Sequence, residues 1–117
     1  MSAVENMVPV FSVTELKVSK EFYLSRLSFS LDWESTSMCS VSRDGHSIIL
    51  AESGKKQPSI LWVGLKTEDL IHQAIDGGIK VLQEPRTDDF GLHAKFADPD
   101  DNILWLGIEN KEHCRSN

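Results

Sequence analysis

Apolar and polar positions along the chain change period in an order that occurs twice. Met7–Val13 is apolar and β-rich and predicts a first strand, with Pro9, which has no N–H for a ladder, at a strand start or sheet edge. Thr14-Glu15 places a hydroxyl and an acid where a helix opens. Leu16, Val18, Phe22, Tyr23 and Leu27 then form one broad apolar stripe, which predicts a helix over 15–27. Three strands follow, at Ser30–Glu34, Met38–Ser42 and Ser47–Ala51. Arg43-Asp44-Gly45-His46 joins the last two, since Asp-Gly supplies the positive φ of a hairpin. Ser53–Pro58 is polar and reads as a linker.

The pattern then begins again. Ser59–Leu65 predicts a strand, and Thr67-Glu68-Asp69 opens a helix over 68–76 whose stripe is Leu70, Ile71, Ala74 and Ile75. Gly77-Gly78 stops it. Strands are predicted at Lys80–Leu82, Leu92–Ala97 and Asn102–Leu106, with Asp98–Asp101 as the turn before the last, and 109–117 as a polar tail that frays. Both helix starts, Glu15 and Glu68, and both late turns, at Gly45 and Asp101, keep a near-constant offset, which points to an internal duplication. The expected architecture is α+β: two βαβββ modules, about 7–52 and 59–108, forming curved mixed sheets with a helix on one face of each. A half alone leaves its other sheet face bare, so the halves are expected to pair.

Composition narrows the function. The net charge is −6 and Lys55-Lys56 is the only adjacent basic pair, so no nucleic-acid surface is expected. No run approaches the roughly 18 apolar residues of a spanning helix. The start lacks a basic segment followed by an apolar run, and the two cysteines, Cys39 and Cys114, have no CxxC context, so a cytoplasmic protein with reduced thiols is expected.

The chain resembles the vicinal-oxygen-chelate superfamily, which includes glyoxalase I, extradiol dioxygenases and the fosfomycin and bleomycin resistance proteins. The resemblance spans about 7–108. It is carried by Val8-Pro-Val10 before the Thr14-Glu15-Leu16 helix start, by Phe22-Tyr23 with Leu27-Ser-Phe29, and by Phe96-Ala-Asp-Pro-Asp-Asp-Asn102. Ser28 and Asp101 stand where glycine is usual; Asp tolerates a left-handed backbone, at a cost on the order of 1 kcal/mol. Metal-using members take four ligands from the first and last strands of each half. The matching positions here are Val8, Ile49, Ile60 (or Leu61) and Trp105, none of which is a metal donor. No metal and no cofactor are therefore expected.

Other chemistry is sparse. His46, His72 and His113 have no ligand spacing; His93, alternating with Lys95 on a strand, is the histidine placed to face a groove. There is no G-x-S-x-G and no Cys beside a base, and Asp98 with Asp100 sits in a turn whose carboxylates cap backbone N–H groups, so no catalytic residue is assigned. The three tryptophans all lie in predicted strands. The expected ligand groove is lined by Val8, Val10, Ser12, Trp33, Cys39, Ile49, Ile60, Trp62, His93 and Trp105, an apolar and aromatic surface suited to planar rings. An acidic chain suits a cationic guest. The favoured reading is a metal-free small-molecule-binding protein of the bleomycin-resistance kind, sequestering an aromatic, cationic antibiotic. The alternatives are a glyoxalase- or dioxygenase-like lyase or isomerase with a non-standard site, and an interaction protein whose groove is plugged by its own side chains. The resemblance, together with the bare apolar sheet faces and edges, implies a homodimer.

Overall fold

The structure, a computed structural model, describes residues 2–110. His113 and Cys114 lie outside the described residues. The chain divides into two compact units between Gln57 and Pro58, inside the expected linker.

The first unit contains β1 (Val10–Val13), α1 (Leu16–Glu21), β2 (Ser30–Glu34), β3 (Met38–Arg43) and β4 (His46–Glu52). The second contains β5 (Ile60–Gly64), α2 (Asp69–Asp76), β6 (Lys80–Asp88), β7 (Gly91–Ala97) and β8 (Ile103–Glu109). The two sheets have equivalent orders, β1-β4-β3-β2 and β5-β8-β7-β6. In each, the first strand lies parallel to the last and the other pairs are antiparallel. This is the expected pair of βαβββ modules with mixed sheets.

Strict alternation builds the first core. Phe11, Val13, Cys39, Val41, Ile48 and Leu50 point to one face of the first sheet and are buried with Leu16, Tyr23 and Leu27 of the helical segment. Full burial of each large side chain contributes roughly 1.5–3 kcal/mol. In the second unit Ala94, Phe96, Leu104 and Leu106 are buried on one face, with Ile71 and Ala74 of α2 and Ile79 behind it.

Four expectations are corrected. The first strand is shorter than 7–13: it begins at Val10, because Pro9 has no N–H to donate, although its carbonyl still accepts from the Ile49 N–H at 3.0 Å. The first helix is regular only over Leu16–Glu21 and widens into a π-helical segment, Phe22–Arg26. Its opening is capped by a carboxylate from β4: the Leu16 N–H donates to Glu52 Oε2 at 2.8 Å. Its close is made by Ser28, whose φ of +58° lets the Phe29 N–H reach the Tyr23 carbonyl at 3.0 Å. The third correction matters most for the site. β6 continues through Pro85 to Asp88 instead of ending at Leu82, because it is an edge strand and its pairing with β7 is interrupted by two irregularities that absorb the proline. Finally, Glu109 is not part of a tail but closes β8, paired with Gly91.

The Asp98–Asn102 turn is structural. Asp98 Oδ1 accepts the N–H groups of Asp100 and Asn102 at 2.8 and 2.9 Å, and Asp98 Oδ2 accepts from the Asn102 amide at 3.0 Å. Asn102 Oδ1 in turn accepts the Ser59 N–H at 2.9 Å, tying the turn to the start of β5. Asp101, at φ +64°, takes the left-handed position usually given to glycine.

Candidate functional site

One helix covers one face of each sheet and leaves the other open. On the second sheet, Trp62, Trp105, Lys95 and Gln83 form a single register row across β5, β8, β7 and β6. Beside it runs Gly64, Gly107, His93 and Arg86. Phe90, from the turn between β6 and β7, leans over the pair of rows: its ring lies 4.5 Å from His93, 5.7 Å from Trp105 and 6.0 Å from Trp62. Trp62 and Trp105 meet edge to face at 4.9 Å. The Lys95 ammonium stands 5.1 Å from the centre of the Trp105 ring.

His93 is the post of this cluster. It is only 2% exposed, and both ring nitrogens are engaged. The Trp105 indole Nε1–H donates to Nδ1 at 3.0 Å, and the Gln83 amide nitrogen lies 3.1 Å from the same atom. An indole N–H can only donate, so Nδ1 carries the lone pair and the proton sits on Nε2. That Nε2–H meets Asp88 Oδ2 at 2.7 Å. The hydrogen bond from His93 holds the Asp88 carboxyl below the usual carboxylate range, helped by the Phe90 N–H and by Arg86, whose Nε is 3.7 Å away. The chain Asp88–His93–Trp105 thus fixes the plane and edge of an indole that is itself half-buried.

Gly107 makes room for the other indole. A Cβ there would lie 2.6 Å from Trp62 Cη2 and 2.9 Å from His93 Cβ. Trp62 therefore lies flat over the β8 backbone at a place where only glycine fits.

The open face of the first sheet is polar at its β2–β3 side. The Ser40, Ser42 and Ser47 hydroxyls all donate to Asp32, at 2.9, 2.6 and 3.3 Å. Those bonds, from Ser42 and then Ser40, hold the Asp32 carboxyl below the usual carboxylate range. On the β1–β4 side the same face carries Val10 and Ile49, which are register partners, and Ser12, whose hydroxyl donates to Gln57 Oε1 at 3.0 Å.

The predicted site residues therefore separate. Trp62, His93, Trp105 and Ile60 share the open face of the second sheet, with Ile60 54% exposed near the beginning of β5. Val10, Ser12, Ile49 and Trp33 share that of the first, and Val8 precedes β1, half-buried. Cys39 is not on that face: it points to the helix side and is fully buried, and burial pushes its thiol up. Gln83, Asp88 and Phe90 escape a reading that ends β6 at Leu82. The Asp88-Asp89-Phe90-Gly91 turn, with an Asx-type bond from the Phe90 N–H to Asp88 Oδ1 at 3.2 Å, was the available signal. Among the described residues, no three His, Cys, Asp or Glu side chains lie together as a metal ion requires. No helix among them is long and apolar enough to cross a membrane.

The Gly107 cradle gives a direct prediction. Gly107→Ala is expected to lower stability by about 1–3 kcal/mol and to swing Trp62 off the sheet, read as a change in tryptophan emission and a shift of the denaturation midpoint. Unchanged emission and midpoint would show that Trp62 does not lie where the geometry puts it.

No protein-family model and no curated protein sequence matches the chain. Solved structures do. The bleomycin resistance determinant encoded on transposon Tn5 is similar over 92% of this chain and 99% of its own, with a TM-score of 0.81 at 16% identity. The bleomycin-binding protein of bleomycin-producing Streptomyces verticillus, solved with copper(II)-bleomycin, is similar over 92% and 98%, with a TM-score of 0.77 at 15% identity. A glyoxalase/bleomycin resistance protein/dioxygenase from Alicyclobacillus acidocaldarius is similar over 97% and 100%, with a TM-score of 0.73 at 14% identity. Together with the two βαβββ modules, these likenesses show that the chain has the glyoxalase/bleomycin-resistance fold.

Proposed function

We propose that the protein binds a small aromatic molecule on the open face of the second sheet, and that its guest is an aromatic, cationic antibiotic of the bleomycin type, removed by sequestration. The observation that carries this reading is the locked indole of Trp105, flanked by Trp62 and Phe90 and anchored by His93. A rigid, half-buried aromatic surface can stack a planar ring with little ordering cost. Two of the similar structures are a bleomycin resistance determinant and a bleomycin-binding protein, which supports this class of guest.

The reading needs no metal and no cofactor. The positions that the resemblance matches to the ligands of metal-using members are Val8, Ile49, Ile60 (or Leu61) and Trp105, which offer no donor to a divalent ion. A lyase or isomerase has less support, because both nitrogens of His93 are already committed within the protein. One observation favours the interaction-protein alternative: Trp62, Phe90 and Trp105 pack edge to face on one another, as ring fillers do. The location proposed is the cytoplasm.

Trp105→Ala separates the two readings. Bleomycin is expected to quench tryptophan emission of the unaltered protein saturably. The variant should lose about 1–3 kcal/mol of that affinity, with a stability loss no larger than the about 1–3 kcal/mol of the deleted indole–imidazole hydrogen bond. A loss of about 3–5 kcal/mol in stability, with no binding in the unaltered protein, would overturn the binding reading in favour of a plugged cluster.

We further propose a homodimer. Val10 and Ile60, on the outer strands β1 and β5, are 56% and 54% exposed, the kind of apolar surface that a second copy covers. Sedimentation at micromolar concentration should give twice the 13.1 kDa chain mass; a species at the chain mass would contradict it.

A further inference from the structure

A cationic guest needs a free anionic partner, and at the aromatic face of the second sheet Asp88 is taken by His93 while Lys95 stands over Trp105. The first sheet presents the opposite charge. We propose that Asp32 and Trp33, on the open face of the first sheet, form a binding site for an organic ammonium group, a protonated amine carrying an alkyl or aryl substituent. The proposal rests on the small-molecule-binding reading above and names the chemical class that the first sheet takes.

The backbone irregularity in β2 builds the site. Pairing passes from Leu31↔Val41 to Trp33↔Ser40, so Asp32 is the extra residue of a bulge and both it and Trp33 come to the open face. Two strands then aim three hydroxyls at one carboxylate, the buried Ser40 among them. Oδ2 accepts from Ser40 and Ser47, and Oδ1 from Ser42 alone. A carboxylate offers about four lone-pair sites, so one remains, on Oδ1. Among the described residues, the groups that act on the Asp32 carboxyl are the three serines and no cation, and the Lys20 ammonium is held by Glu34 at 2.6 Å. Beside this anion Trp33 is 44% exposed, and Met38, on the same face, is 40% exposed.

The number of open acceptor sites selects the class of cation. A divalent metal needs several oxygen ligands, and here one carboxylate has one free site. A guanidinium or amidinium fork wants both oxygens, and Oδ2 is already filled by two hydroxyls. An ammonium with a single N–H needs one acceptor, and its carbon substituents can lie against the Trp33 ring, which attracts positive charge.

The test uses the full chain, labelled with nitrogen-15, and reads the indole N–H signals, with Trp33→Leu assigning the Trp33 signal. N,N-dimethylbenzylammonium should shift the Trp33 signal saturably, benzamidinium and uncharged benzyl alcohol should bind at least several-fold more weakly, and Asp32→Asn should weaken the ammonium roughly ten-fold or more, the loss expected for one charge-assisted hydrogen bond. An unmoved Trp33 signal, equal binding of benzyl alcohol, or an unaltered affinity in Asp32→Asn would each overturn the site. The benzyl alcohol comparison needs no variant, so the site stays decidable if Asp32→Asn fails to fold. Bleomycin binding that shifts Trp62 and Trp105 but leaves Trp33 unmoved would defeat this site while the binding reading stands. Ammonium binding at Trp33 without any bleomycin binding would uphold the site and defeat the antibiotic reading.

Discussion

A four-stranded sheet with a single helix has one face covered and one face open, and the rest of this molecule answers that constraint twice. The covered faces are solved in the ordinary way, by alternating apolar residues packed under a helix: Phe11, Val41 and Leu50 in one unit, Phe96, Leu104 and Leu106 in the other. The open faces cannot be solved like that without exposing large apolar patches. The first carries a carboxylate ringed by serines; the second carries indoles whose polar edge is tied to a histidine. Both are devices for holding chemically useful groups still on a surface that no helix protects.

On the second sheet the parts depend on one another. Trp105 can present a fixed ring only because His93 Nδ1 accepts its N–H; His93 can accept only because Asp88 takes the proton side of the imidazole. Asp88 reaches that position because β6 extends through Pro85 along an irregular edge instead of stopping early. Gly107 leaves the hollow into which Trp62 settles. A buried imidazole with an unpartnered nitrogen would cost roughly 1–3 kcal/mol, so the network stabilises the fold while it orients the platform.

The two modules were legible in the sequence because their signals are local and repeated: alternation in the strands, a stripe in each helix, Asp-Gly and Gly-Gly at the turns. What escaped was set by tertiary geometry. Pro85 argued against a strand, and only the edge location of β6 in the sheet removes that objection. Asp32 reads as an ordinary surface acid until the bulge turns it beside Trp33 and toward three serines that lie 8, 10 and 15 residues away. Cys39 falls on the helix side because of its pairing with Leu50, a register that the period alone does not fix. Glu52 caps a helix 36 residues before it, which no local capping pattern could announce.

The aromatic platform depends on the imidazole of His93 accepting the Trp105 indole proton. Its most direct test is the long-range proton–nitrogen spectrum of the His93 ring at neutral pH, together with solvent exchange of the Trp105 indole proton. The expected result is a proton on Nε2, a lone pair on Nδ1, and an indole proton that exchanges much more slowly than that of exposed Trp33. A proton on Nδ1, or a Trp105 indole exchanging as fast as Trp33, would contradict it.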